Sequence, residues 1–177
     1  MAIDDLKVSH LKDSVVTRMV NWLRNIYKRI FPDGSGKMKV SCGKVHDSLG
    51  MNLDFSVPGE VKITMISYVK GMITDFSKYD SSDKTAPTPA GVNLFKVDPN
   101  CAIISEELAT VYHNMTAKAL FLTKRARPNI STAVAFLTTR VKKPDVHDWM
   151  KLVRLMKYLK VTPELPLILR ADSIPVP

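Results

Sequence analysis

Between Ser77 and Cys101 the chain loses every hydrophobic period and fills with turn-forming residues. Thr85-Ala86-Pro87-Thr88-Pro89 and Asp98-Pro99-Asn100 impose extended and turning backbone, because each proline locks φ and removes an amide donor. An aperiodic run of this length predicts a segment that travels between packed units. The expected organisation is therefore residues 1–76, a linker over 77–104, and residues 105–177.

The first region mixes two periods. Leu6-Lys7-Val8-Ser9 alternates apolar and polar, which predicts a short strand. Asp13 or Ser14 can then cap a helix, and Val16, Met19, Val20, Leu23, Ile26, Tyr27 and Ile30 recur on one helical face. Arg18, Arg24, Asn25, Lys28 and Arg29 fill the remainder, and Phe31-Pro32-Asp33-Gly34 stops the helix. Beyond a short run at Lys39-Val40-Ser41, two alternating stretches flank Val57-Pro58-Gly59: residues 49–55 and residues 60–65. That pattern predicts a β-hairpin. Tyr68, Val69, Met72, Ile73 and Phe76 give a short amphipathic helix after it.

The third region, from Ser105 to about Leu169, reads as helical. Leu108, Val111, Tyr112, Met115, Ala119 and Leu122 share the helix period over 106–123. A second helix is expected over 130–140 and a third over 145–160, with Pro144 as a first-turn proline. On the last helix Trp149, Leu152, Val153, Met156 and Leu159 form one face, while His147, Lys151, Arg154 and Tyr158 line another. The fold class is α+β.

Charge is unevenly distributed. The chain carries a net +9, and residues 118–160 alone hold eleven basic and two acidic side chains. The remainder is neutral. Such a concentration suits a polyanionic partner, because neutralising phosphates releases counterions; a merely solvated basic face is the plain alternative. Apolar residues make up 45% of the chain, but no run approaches the ~20 continuous apolar residues of a membrane span. Residues 1–10 lack the apolar core of a signal peptide, so a soluble intracellular protein without a membrane partner is expected. Cys42 and Cys101 match no metal-ligand spacing, and neither do the four histidines; both cysteines are expected as free thiols.

Asp4-Asp5 is an adjacent carboxylate pair that could hold Mg²⁺ or Mn²⁺, hard ions that favour oxygen ligands. Two such ions can clamp the attacking and leaving oxygens of phosphoryl transfer. Its surroundings, Ile3-Asp4-Asp5-Leu6-Lys7-Val8-Ser9-His10, resemble the catalytic aspartate box of copia-type retrotransposon reverse transcriptases. Further along, Leu49-Gly50-Met51-Asn52-Leu53-Asp54, Tyr68-Val69-Lys70-Gly71-Met72-Ile73 and Thr88-Pro89 match that family in order. The most specific stretches are Arg127-Pro128-Asn129-Ile130 with Ala133 to Leu137, and Met156-Lys157-Tyr158-Leu159-Lys160-Val161-Thr162. They are similar to the family's Arg-Pro-Asp-Ile and Tyr-Leu-Lys-Gly-Thr signatures.

The resemblance implies an RNA-directed DNA polymerase fragment: the end of a palm, its primer-grip hairpin, and a helical thumb and connection. It implies Asp4 and Asp5 as catalytic metal ligands. Leu49, Gly50 and Met51 would sit at the primer backbone. Arg127, Lys151, Arg154 and Tyr158 would lie along an RNA/DNA primer–template duplex, tracked by shape and backbone. The other partners implied are the remaining polyprotein segments, with the cytoplasm, a virus-like particle or the nucleus as compartments. The chain departs from the family in placing Ala2 where an aromatic is expected, and in lacking the third aspartate and the fingers upstream. Residues 167–173 resemble the approach to an RNase H domain whose carboxylates do not follow, so Asp172 receives no catalytic role. The isolated chain is thus expected to be polymerase-inactive. Two other readings compete: a basic helical nucleic-acid-binding module without catalysis, and a structural helical protein with no polyanion partner.

Overall fold

The computed structural model describes residues 6–10, 12–35, 38–80 and 82–171. Within them, five α-helices and four strands form an α+β fold: α1 (Asp13–Ile30), β1 (Val45–Ser48), β2 (Met51–Asp54), β3 (Glu60–Thr64), α2 (Ile66–Phe76), α3 (Glu106–Thr123), α4 (Ser131–Thr139), α5 (Val146–Val161) and β4 (Leu167–Arg170). One antiparallel sheet runs in the order β1-β2-β3-β4. No described helix is long and apolar enough to cross a membrane.

The expected hairpin forms between β2 and β3, with Leu53 opposite Ile63. Its inward residues Leu53, Ile63 and Met65 join Val69, Met72 and Phe76 of α2 in the core. The same apolar cluster takes in Tyr112, Ala119 and Leu122 of α3, Val134 and Leu137 of α4, and Leu152, Leu155, Met156 and Leu159 of α5. The regions on either side of the linker therefore share one interior.

Several local expectations need correction. Leu6 to Ser9 is irregular, because all four strands of the described sheet come from elsewhere and a lone extended segment has no ladder to join. Lys39-Val40-Ser41 likewise makes no strand; Val45–Ser48 does instead, pairing with β2. Lys12, not Asp13 or Ser14, occupies the N-cap of α1 without a side-chain bond, and Asp13 stands in the first turn, where a negative charge suits the helix dipole. Pro144 precedes the Asp145 N-cap of α5 rather than opening the helix.

Leu49 and Gly50 are not strand residues but the two-residue turn between β1 and β2, whose flanks pair Ser48 with Met51. Both have positive φ, 51° and 76°, as the turn matching strand twist requires. A Cβ on Gly50 would meet only Met65 at 3.7 Å, an ordinary contact. Gly50→Ala is therefore expected to destabilise by about 1–2 kcal/mol through backbone conformation alone. Leu49→Asn is expected to stabilise by about 0.5–1 kcal/mol, since asparagine tolerates the left-handed region. Urea unfolding of both variants reads the two opposite signs; two shifts of the same sign would refute this turn.

Candidate nucleic-acid interface

The predicted basic face of α5 turns out to be the bed on which the linker lies. Lys151 Nζ donates to Lys96 O at 2.8 Å, and Arg154 Nη2 donates to Thr88 Oγ1 at 2.9 Å. Lys157 pairs with Asp80 at 3.3 Å and Lys160 with Asp83 at 3.4 Å. From Lys151 to Lys157 the linker thus runs antiparallel to the helix, its partners falling from Lys96 through Thr88 to Asp80, before Lys160 turns back to Asp83. Gly91 lies against the Arg154 guanidinium, close enough that a Cβ would be 3.8 Å away. Ala86 and Leu94 bury apolar side chains from the same segment. Burial would raise the Asp80 carboxyl, but hydrogen bonds from Ser82 and the Lys157 ammonium hold it below the usual range. Asp83 is fully exposed, so the Lys160 pair adds little.

Arg127 and Tyr158 are also engaged inside the chain. Arg127 is 2% exposed. Its Nη1 donates to Thr162 O at 2.6 Å, its Nη2 to Thr162 Oγ1 at 2.8 Å, and its Nε to Asn129 Oδ1 at 3.1 Å. Asn129 Nδ2 in turn donates to the Tyr158 hydroxyl at 2.7 Å. The guanidinium stands 5.6 Å from the Tyr158 ring centroid. Burial lowers the Arg127 pKa, partly offset by Tyr158. A planar fork meeting two oxygens of one residue is a geometry that lysine could not reproduce.

A second buried polar group fixes the start of α5. Asp145 Oδ1 accepts from the Asp148 amide at 2.8 Å and Asp148 Oδ2 accepts from the Asp145 amide at 3.2 Å, a reciprocal cap. Arg140 binds both carboxylates, at 2.8 Å to Asp148 and 3.2 Å to Asp145.

Charge concentrated in sequence is therefore largely answered in space. Within residues 118–160, Lys118, Arg140, Lys151, Lys157 and Lys160 hold carboxylates, and Arg125 lies over the Phe121 ring at 3.5 Å. Lys124, Lys142 and Lys143 are the exposed cations of this stretch that no described side chain engages. Arg18, Arg24, Lys28 and Arg29 of α1 are unengaged among the described residues as well. They lie opposite the apolar stripe of that helix, which buries no residue completely. Trp22 and Ile30 remain 59% and 61% exposed. Reading charge along the sequence pointed to α5; opposing acids in the linker, Asp80 and Asp83, were the available signal that its cations had internal partners.

The hairpin tip is open. Leu49 is 51% exposed on the turn, with Gly50 beside it, while Met51 turns partly inward against the core. Asp4 and Asp5 lie outside the described residues. Among the described residues, the one convergence of three metal-binding side chains is Cys101, Asp145 and His147; no three carboxylates meet. No protein-family model matches the chain, and no solved structure matches it.

Proposed function

We propose that the chain is the primer-grip and thumb portion of a copia-type reverse transcriptase, and that it holds an RNA/DNA primer–template duplex by its backbone. In this reading Asp4 and Asp5 carry Mg²⁺ or Mn²⁺ for nucleotidyl transfer in the complete polymerase. The supporting observation is how the two most specific stretches of the resemblance meet. Arg127 and Asn129 of one bond Thr162 and Tyr158 of the other across more than twenty-five residues of sequence. A chance likeness has no reason to fall on residues that fasten each other across the fold. On the exposed turn Gly50, which has no side chain, leaves the backbone open to close approach by a nucleic-acid backbone.

Duplex contact in this proposal shifts away from Arg127, Lys151, Arg154 and Tyr158, which serve the fold, to the unengaged cations Lys124, Lys142, Lys143 and those of α1. The test is fluorescence anisotropy with an RNA–DNA hybrid across a salt series, with and without Mg²⁺. The logarithm of affinity is expected to fall linearly with that of salt, and Lys142→Ala/Lys143→Ala to shrink the slope by about 1 for each phosphate no longer neutralised. Arg154→Ala should leave the slope alone. Asp4→Ala/Asp5→Ala should abolish any Mg²⁺ response; if it changes nothing, a binding module without catalysis is the better reading. Affinity indifferent to salt would dispose of both.

A further inference from the structure

Where the linker ends and α5 begins, Cys101, Asp145 and His147 bring Sγ, a carboxylate oxygen and a ring nitrogen within 4.8 Å of one another. The backbone builds this meeting point. Ile103 forms a bridge with Asp145, Val146 N donates to Ala102 O at 2.9 Å, and Ile104 N donates to Pro144 O at 3.2 Å. Asp145 is buried and cannot swing away, because the Asp148 amide and Arg140 hold its two oxygens. Cys101 is a half-buried free thiol and His147 is exposed; neither side chain has another partner among the described residues. The fold thus fixes one ligand and leaves two adjustable.

We propose that Cys101, Asp145 and His147 bind a borderline-soft divalent cation of the zinc class, fastening the end of the linker to the first turn of α5. Mixed sulfur, nitrogen and oxygen ligands suit zinc, whereas Mg²⁺ demands oxygen. Bonds of about 2.0–2.3 Å in a tetrahedron separate ligand atoms by about 3.5 Å. Closure therefore takes about 1 Å, which side-chain rotation of Cys101 and His147 supplies. A carboxylate offers about four lone-pair directions, and those facing the Asp148 amide, the His147 amide and Arg140 leave one for the metal. One thiolate and one carboxylate offset the dication locally; because the Cys101 thiol gives up its proton on binding, the molecule gains only a single net charge. Solvent takes the fourth position. This site is independent of any role for Asp4 and Asp5.

The reduced full chain is titrated with zinc alone against a chromophoric chelator. One equivalent is expected to bind, with Cys101→Ser and His147→Ala each weakening affinity tenfold or more and Cys42→Ser leaving it unchanged. Both ligand variants spare the Asp145 cap, so their metal-free thermal unfolding should match that of the parent. Cobalt loading should give a thiolate-to-metal absorption band that Cys101→Ser removes. No saturable binding at micromolar zinc, or a Cys101→Ser chain that binds as tightly as the parent, would overturn the site.

Discussion

Arg127→Ala is expected to lower the unfolding free energy by about 2–4 kcal/mol, a large part of the roughly 5–15 kcal/mol that holds an average domain together. The side chain is 2% exposed and is among the largest fully buried side chains. Truncation leaves Thr162 O, Thr162 Oγ1 and Asn129 Oδ1 without their donor. Thr162 is half-buried and Asn129 exposed, so water can reach some of these acceptors, while each one left unpaired costs about 1–3 kcal/mol. Arg127→Lys should recover less than half of the loss, since an ammonium cannot span both Thr162 oxygens. Equilibrium urea unfolding measures this directly, with the midpoint falling at constant slope. A change below about 1 kcal/mol for the alanine variant would mean that the network is not formed as described.

Arg140→Ala is expected to cost about 2–4 kcal/mol by taking the guanidinium from two carboxylates whose side chains are only 6% and 1% exposed, with Lys151 at 3.4 Å remaining on Asp148. Its effect should depend on pH. Burial tends to raise the Asp145 carboxyl, but the Asp148 amide and Arg140 outweigh it, and the net shift is downward. A carboxyl with a folded pKa below its unfolded value stabilises the fold above that unfolded value, about 3.9, and loses the contribution as pH falls through the folded one. Removing Arg140 takes away part of the downward shift, so acid unfolding should begin at a higher pH than in the parent. An acid titration followed by circular dichroism would show the displaced onset. Identical acid profiles would argue against the Arg140 pairing.

What the sequence made legible was periodic. α2, α3 and α5 each repeat apolar residues at the helix spacing, and β2 and β3 alternate around Pro58-Gly59, so their existence follows from local pattern. β1 and β4 do not announce themselves. His46-Asp47-Ser48 is polar, and Leu167–Arg170 is mostly exposed; both are edge strands defined by what they pair with rather than by their own composition. The site residues followed the same division. That Lys151 and Arg154 share a face was readable from spacing, but which surface covers that face depends on where the aperiodic linker settles. Tyr158 sits at the border between the two faces, and the apolar neighbours Leu155 and Leu159 were the hint that its ring goes inward.

The place of β4 in the sheet carries a consequence for synthesis. Its partner strand emerges from the ribosome with one edge open, and the complementary segment follows only after roughly 100 further residues, or about 5–20 s at ordinary translation rates. During that interval Val61 and its neighbours offer unpaired amides and carbonyls to any extended chain nearby. Lys62, pointing outward midway along this strand, places a charge where a foreign strand would have to align.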